Sequence, residues 1–262
     1  AEAGPGQVAL WTGELNITET DVTVPTPEGG LAISRAHSSF AGPLPAGYGV
    51  FGPGWVASFD GAGEGAAALT VIDSTAVDGT IALIDEEGDP LVYRTPTGKK
   101  GDAPTGTYVA VDEDTAFMEA TVKVDGTGNA RLLTLAEIDG TVTTWKIATA
   151  ADARYRWSPV SVAEPGGLGK TSYTTDTSGR VLQILGSVPD GVSCTTLVAG
   201  CRALTISYAS ATTATSATPG DVAGQVKQIS YVAYDPATSA MKTTVVAQYT
   251  YDSTGRLTTV TE

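Results

Sequence analysis

The chain has 262 residues, 42% of them hydrophobic and 17% charged, which is enough apolar material for a substantial core and too little charge for a disordered tail. With 29 acidic residues against 15 basic ones the net charge is -14, which argues against nucleic acid and anionic lipid as partners, since both are bound through clustered Lys and Arg. The 31 Gly and 14 Pro, set among Thr, Val, Tyr and Ala, predict an all-β fold of strands and tight turns with almost no helix.

From Gln7 to Thr23 short alternating runs predict strands, and Pro25, Pro27, Gly29 and Gly30 force a turn before a strand from Leu31 to Phe40. The Asn16-Ile17-Thr18 triplet has the pattern of a glycosylation acceptor, which matters only in a eukaryotic host. The Gly- and Pro-rich segment Gly42 to Gly54 is expected to be an irregular crossover, marked by Phe51 and Trp55. Beyond Asp60 four reversals pair an acidic residue with glycine: Asp78-Gly79, Glu87-Gly88, Asp125-Gly126 and Asp139-Gly140. Glycine takes the positive φ of mirror-image turns without steric cost, and alternating runs such as Thr80 to Ile84 and Thr141 to Trp145 supply the strands of a hairpin meander. The acidic groups Asp85, Glu86, Glu87, Asp89 and Asp112, Glu113, Asp114 lack the spacing of a calcium loop and read as solvated turns.

Glu164 to Ser172 ends in Gly169-Lys170-Thr171 and imitates a phosphate-binding loop. Its first glycine position is Glu164, however, and a strand begins at Tyr173 where the phosphate-binding helix should start. Cys194 and Cys201 are close enough for a hairpin disulfide, worth about 2 kcal/mol at most and implying an oxidising compartment. His37 is the sole histidine, so a zinc site of Cys and His ligands cannot be assembled; no metal or other cofactor is expected. The run Ala209 to Thr218 reads as a loop or sheet edge. No apolar run reaches the roughly 18 residues of a membrane span, so membrane insertion is not expected; any secretion signal is expected to be upstream or removed.

An internal repeat stands out. Tyr173-Thr-Thr-Asp176-Thr-Ser-Gly179-Arg180-Val181 recurs as Tyr249-Thr-Tyr251-Asp252-Ser-Thr-Gly255-Arg256-Leu257, and Tyr231 to Pro236 is a degenerate copy whose turn Pro236 alters. Each unit is expected to be strand, turn, strand. Tyr lies on the incoming strand, Asp accepts backbone N–H bonds across the turn, Gly is left-handed and Arg opens the return strand. Arg35, Arg180 and Arg256 are read as structural, each stem covering apolar surface and each guanidinium binding carboxylates or carbonyls, so Arg256→Ala is expected to destabilise.

The repeat resembles the YD repeat, Y-x-Y-D-x-x-G-R-L, of Rhs proteins, insecticidal toxin complexes and teneurins. The match is complete at Tyr249, Tyr251, Asp252, Gly255, Arg256 and Leu257, whereas the first copy has Thr175 for the second tyrosine. The first 60 residues resemble the module that opens the Rhs region: Thr12-Gly13, Asp21, Pro25, Gly30-Leu31, Arg35, Ser39 and Phe51-Gly52-Pro53-Gly54-Trp55 fall in the family's order, with His37-Ser38 where the family has an aromatic residue and Asn. The chain accordingly divides into an opening module (1–60), a hairpin meander (61–165) and YD-repeat hairpins (166–262). The resemblance implies a curved strip of antiparallel hairpins belonging to the shell of a much longer secreted or cell-surface polypeptide. The implied partners are the rest of that polypeptide and a C-terminal toxin cargo.

Catalysis is not expected. A Ser-His-Asp triad could be built only on His37 with Ser38 or Ser39; Ser38 points to the opposite face of a strand, and Ser39 is too near in sequence to establish a site. No carboxylate pair stands out as a glycosidase site. The scattered aromatics Trp11, Trp55, Trp145, Trp157 and Tyr155 fit core packing better than a sugar platform. The alternative function is a surface adhesion or carbohydrate-binding module for cell-surface glycans.

Overall fold

A computed structural model describes residues 2–3, 6–26, 29–40, 49–61, 80–84, 90–95, 105–111, 121–126, 130–147, 157–167 and 169–262. The chain begins with strands β1 (Glu2–Ala3), β2 (Gly6–Val8), β3 (Leu15–Thr26), β4 (Gly29–Ser38) and β5 (Trp55–Ala57), followed by the single-turn helix α1 (Ser58–Gly61). It continues through β6 (Thr80–Ile84), β7 (Pro90–Arg94), β8 (Gly106–Ala110), β9 (Thr121–Asp125), β10 (Leu132–Ala136), β11 (Val142–Ile147), β12 (Trp157–Ala163) and β13 (Lys170–Thr175). The last strands are β14 (Val181–Leu185), β15 (Arg202–Tyr208), β16 (Val226–Asp235), β17 (Ala240–Tyr251) and β18 (Leu257–Thr261). The protein is all-β as expected, and no helix among the described residues exceeds four residues. None is long and apolar enough to cross a membrane.

The chain forms two compact units, one from Ala1–Ala57 with Leu182–Glu262 and one from Ser58–Val181. In the second unit β6 to β13 are hydrogen-bonded in chain order. Its core follows from strict alternation: Val122 and Val124 of β9 are buried while Thr121, Lys123 and Asp125 between them are exposed. Register carries this across the sheet, so that Val124, Leu133 and Trp145 form one row and Val122, Leu135 and Thr143 the next. Tyr93, Tyr108 and Trp157 complete the cluster. A register shift opposite Thr144 and Trp145 leaves Val160 as the extra residue of a β-bulge beside Pro159, where the missing proline N–H is tolerated.

The expected reversals at Asp125-Gly126 and Asp139-Gly140 are present, with the glycines at φ +92° and +95°. Asp139 accepts the Thr141 N–H at 2.8 Å, which closes its turn. The Asp78-Gly79 and Glu87-Gly88 reversals, both acidic groups and Tyr155 lie outside the described residues. In the first unit β1 to β5 form one antiparallel sheet in chain order, and β14 to β18 are also neighbours in chain order. Leu31, Ile33, Phe51, Leu204, Ile229, Tyr249 and Tyr251 are buried there.

Candidate functional site

The first unit brings residues of the first 60 positions onto the second copy of the internal repeat. On β3 the pairs Thr20↔Ser34 and Val22↔Ile33 leave Asp21 as the additional residue of a β-bulge, so Asp21 and Val22 are both buried instead of alternating. From β4, Arg35 Nε donates to both carboxylate oxygens of Asp21, at 3.1 and 2.9 Å. The two side chains are 2% and 9% exposed, which leaves little water to screen the pair. Tyr249, on β17, donates its hydroxyl to the same carboxylate at 2.8 Å. Burial, reinforced by the Asp21 charge, pushes the Tyr249 hydroxyl well above its ordinary pKa and keeps it a donor. The Arg35 guanidinium also lies 4.4 Å from the centroid of the Trp55 ring, a cation–π contact.

The loop before Trp55 completes the junction. Phe51 packs on Tyr249 with ring centroids 4.9 Å apart. Val226 donates its N–H to the Val50 carbonyl at 2.9 Å. Gly52 has φ +107°, and a Cβ placed there would sit 2.5 Å from the Gly255 carbonyl oxygen, so both the backbone conformation and the approach to the repeat turn demand glycine. Gln225 Nε2 donates to that same carbonyl at 2.7 Å, and the Tyr251 hydroxyl donates to the Val226 carbonyl at 2.6 Å. The alternating tyrosines of the repeat thus have distinct tasks: Tyr249 binds Asp21 and Tyr251 holds β16.

The repeat turns share one geometry. Asp176 Oδ1 accepts the N–H groups of Ser178 and Arg180 at 2.8 and 2.9 Å, while Asp252 Oδ1 accepts those of Thr254 and Arg256 at 2.8 and 3.0 Å. Gly179 and Gly255 are left-handed at φ +82° and +83°. In the first copy Arg180 Nε also binds Asp176 Oδ2 at 2.8 Å; in the second the Thr254 hydroxyl binds Asp252 and the Arg256 side chain is exposed. Burial alone would raise the Asp176 pKa, but the Arg180 amide and guanidinium and the Ser178 amide hold it below the ordinary value. Hydrogen bonds from Thr254 and the Arg256 amide likewise lower Asp252. In the degenerate copy Asp235 still accepts the Ala237 N–H at 2.9 Å, but the left-handed residue is Ser239, one position later than the glycine of the other copies. Tyr173 is half-buried on β13.

The remaining candidates take structural places. Cys194 and Cys201 form the expected disulfide, with Cα atoms 5.8 Å apart. Ser38 Oγ is hydrogen-bonded to Glu14, and Ser39 Oγ accepts the Leu15 N–H at 2.9 Å, so neither hydroxyl is paired with His37. The glycines of the phosphate-loop imitation fall in a short turn, with Gly166 at φ +66° and Gly167 at φ +74°, and strand β13 follows. Asn16 lies on β3 between β2 and β4. Trp145 and Trp157 are core residues, whereas Trp11 is fully exposed at the β2–β3 loop. Among the described residues no group of three or more His, Cys, Asp or Glu is placed to hold a metal ion. The importance of Gln225, Val50 and Val226 had no signal in the sequence, since each acts through a contact remote along the chain.

Residues 6–93 match a protein-family model described as a domain of unknown function, DUF6531. No curated protein matches the chain. Among solved structures, the chain is similar to the N-terminal domain of effector protein SpvB from Salmonella typhimurium strain LT2, at 14% sequence identity and a TM-score of 0.49, over 93% of this chain and 98% of that one.

Proposed function

We propose that the chain is a non-catalytic structural segment of a secreted Rhs-type YD-repeat protein, contributing to a β-shell that encloses or presents a C-terminal toxin. The observation that carries this reading is the interlock of the two motifs: Asp21, held by Arg35, and Phe51 of the opening module meet Tyr249, and Gly52 meets Gly255 of the repeat. A module that starts a strip of hairpins must fix the register of the strands that follow, and a buried ion pair with a directed tyrosine bond does so more specifically than apolar contact. The family match over 6–93 covers the segment containing these opening residues. The Cys194–Cys201 disulfide fits an oxidising compartment outside the cytosol.

Protease challenge of the parent polypeptide tests the proposal. Its C-terminal cargo region should resist digestion when this segment is intact and become sensitive in Gly52→Val, which opens the junction. Equal sensitivity of the cargo with and without the segment would overturn the reading. Binding of the isolated chain to a glycan array, lost in Trp11→Ala, would move the assignment to the adhesion module.

A further inference from the structure

His37, the sole histidine of the chain, sits on β4 opposite Ile17 of β3 and Trp55 of β5. Its ring meets Trp55 edge-on, with centroids 5.0 Å apart and planes at 62°. Trp55 is the same ring that carries the Arg35 guanidinium. Gly54 (φ +79°) closes over the imidazole so tightly that a Cβ there would stand 2.8 Å from Nε2. Nδ1 is buried and has no hydrogen-bond partner among the described residues.

The ionisable groups on the packed elements offer little to a charged imidazole. Arg35, two residues along β4, is a cation. On β3, Glu19 stands opposite Arg35 in the backbone register and makes no ion pair with His37 among the described residues, and Asp21 is bonded to Arg35 and Tyr249. One carboxylate oxygen of Glu14 accepts the Ser38 hydroxyl. The stretch from Gly52 to Ala57 contains no ionisable side chain.

We propose that His37 is an acid-sensitive latch: when its imidazole takes up a proton, the Trp55–Arg35 stack and the Gly52–Gly54 loop resting on the last repeat loosen together. A protonated ring needs an acceptor at each nitrogen, and here Arg35 is a cation nearby while Nδ1, buried, makes no hydrogen bond and only the residue's own backbone favours the charged form. The ring must then turn to water, which removes the edge that props Trp55 and the surface on which Gly54 rests. Burial lowers the His37 pKa, and the lesser opposing effect of its own backbone does not reverse this. The unfolded chain therefore binds the proton more readily than the folded one. The stabilisation is complete above the unfolded value of about 6.5, falls as pH drops below it, and levels off once the folded-state imidazole titrates. Each unit by which the folded pKa is lowered corresponds to about a tenfold fall in the folding equilibrium constant.

Because there is a single histidine, its Cε1–H resonance reports the latch directly in the full 262-residue chain. The titration midpoint should lie below about 6.5, and the Trp55 indole and Gly255 amide resonances should shift with the same midpoint. The urea midpoint of the wild type should fall between about pH 7 and pH 5 relative to His37→Phe, which keeps a ring against Trp55 without a titrating nitrogen. His37→Gln serves if the phenylalanine variant does not fold. A histidine midpoint at or above 6.5 would overturn the proposal, as would Trp55 and Gly255 resonances that ignore the titration or parallel pH profiles for wild type and variants.

Discussion

The bond from Tyr249 to Asp21 makes a sharp test of the junction, because a residue near the start of the chain meets one near its end, 228 positions apart. Tyr249→Phe leaves the ring against Phe51 and deletes only a hydrogen bond to a charged acceptor, worth about 1.5–3 kcal/mol. Asp21→Asn leaves the Arg35 guanidinium in a site where it is 9% exposed, without its counter-charge, which costs about 3–5 kcal/mol. The two losses overlap, since an Asn at position 21 no longer presents a charged acceptor to Tyr249. The double variant should therefore be less destabilised than the sum of the singles by about 0.5–3 kcal/mol. Native-state hydrogen exchange at β3 and β17 amides reads this within the unit concerned and avoids averaging over the other unit. Additivity to within about 0.3–0.5 kcal/mol would refute the claim that the three side chains act as one network.

Gly52→Ala should destabilise by about 2–6 kcal/mol, combining positive-φ strain of about 1–3 kcal/mol with a similar cost for displacing the Gly255 carbonyl. Gly13→Ala is the control, because Gly13 is also left-handed but a Cβ there meets nothing within 4 Å; thermal unfolding should show a loss of only about 1–2 kcal/mol. Replacing Cys194 and Cys201 together by serine should cost about 2 kcal/mol for a bridge spanning seven positions, and the double variant should unfold identically with and without dithiothreitol. Asp176 has a lowered pKa, so its contribution is full above the ordinary carboxylate value of about 3.9 and is lost as pH falls through the folded-state value. Exchange protection of the Arg180 amide should follow that loss in the wild type and lack it in Asp176→Asn.

The turns were the most legible part of the sequence because their chemistry is local. Asp176 and Asp252 lie within four residues of the amides their side chains accept, and the left-handed Gly179 and Gly255 follow each by three, so an Asp-x-x-Gly spacing encodes the turn locally. The degenerate copy shows the limit: Pro236 signals a changed turn, but nothing in Asp235 to Ala240 announces that Ser239 takes the left-handed position. The strands between Gln7 and Thr23 were also readable, yet the bulge in β3 was not, since alternation predicts that Asp21 and Val22 face opposite ways. Gly52 was visible as a glycine in an irregular segment, while the reason for it, the carbonyl of Gly255, lies some 200 residues away along the chain. Arg256 and Arg180 occupy equivalent places in the repeat and both bind their aspartate through the backbone amide, but only Arg180 adds a guanidinium bond.

A buried Asp–Arg pair is a weak source of net stability, because desolvation offsets most of the attraction and an apolar pair of similar volume is often as good. Its value here is positional. Asp21 can reach Arg35 and Tyr249 only while the bulge keeps β3 in its present register, and a one-residue slip would turn the carboxylate to the other face and leave Arg35 unpaired. Closing a loop of 228 residues costs on the order of 5 kcal/mol in chain entropy, so Tyr249 cannot nucleate this arrangement and must join strands already formed. The opening strands therefore carry a buried cation, Arg35, whose acceptor Asp21 gains its second donor only when the last repeat docks. The tyrosine bond thus couples correct register at the start of the chain to completion of the repeat at its end, and a mispaired β3 is penalised at both places at once.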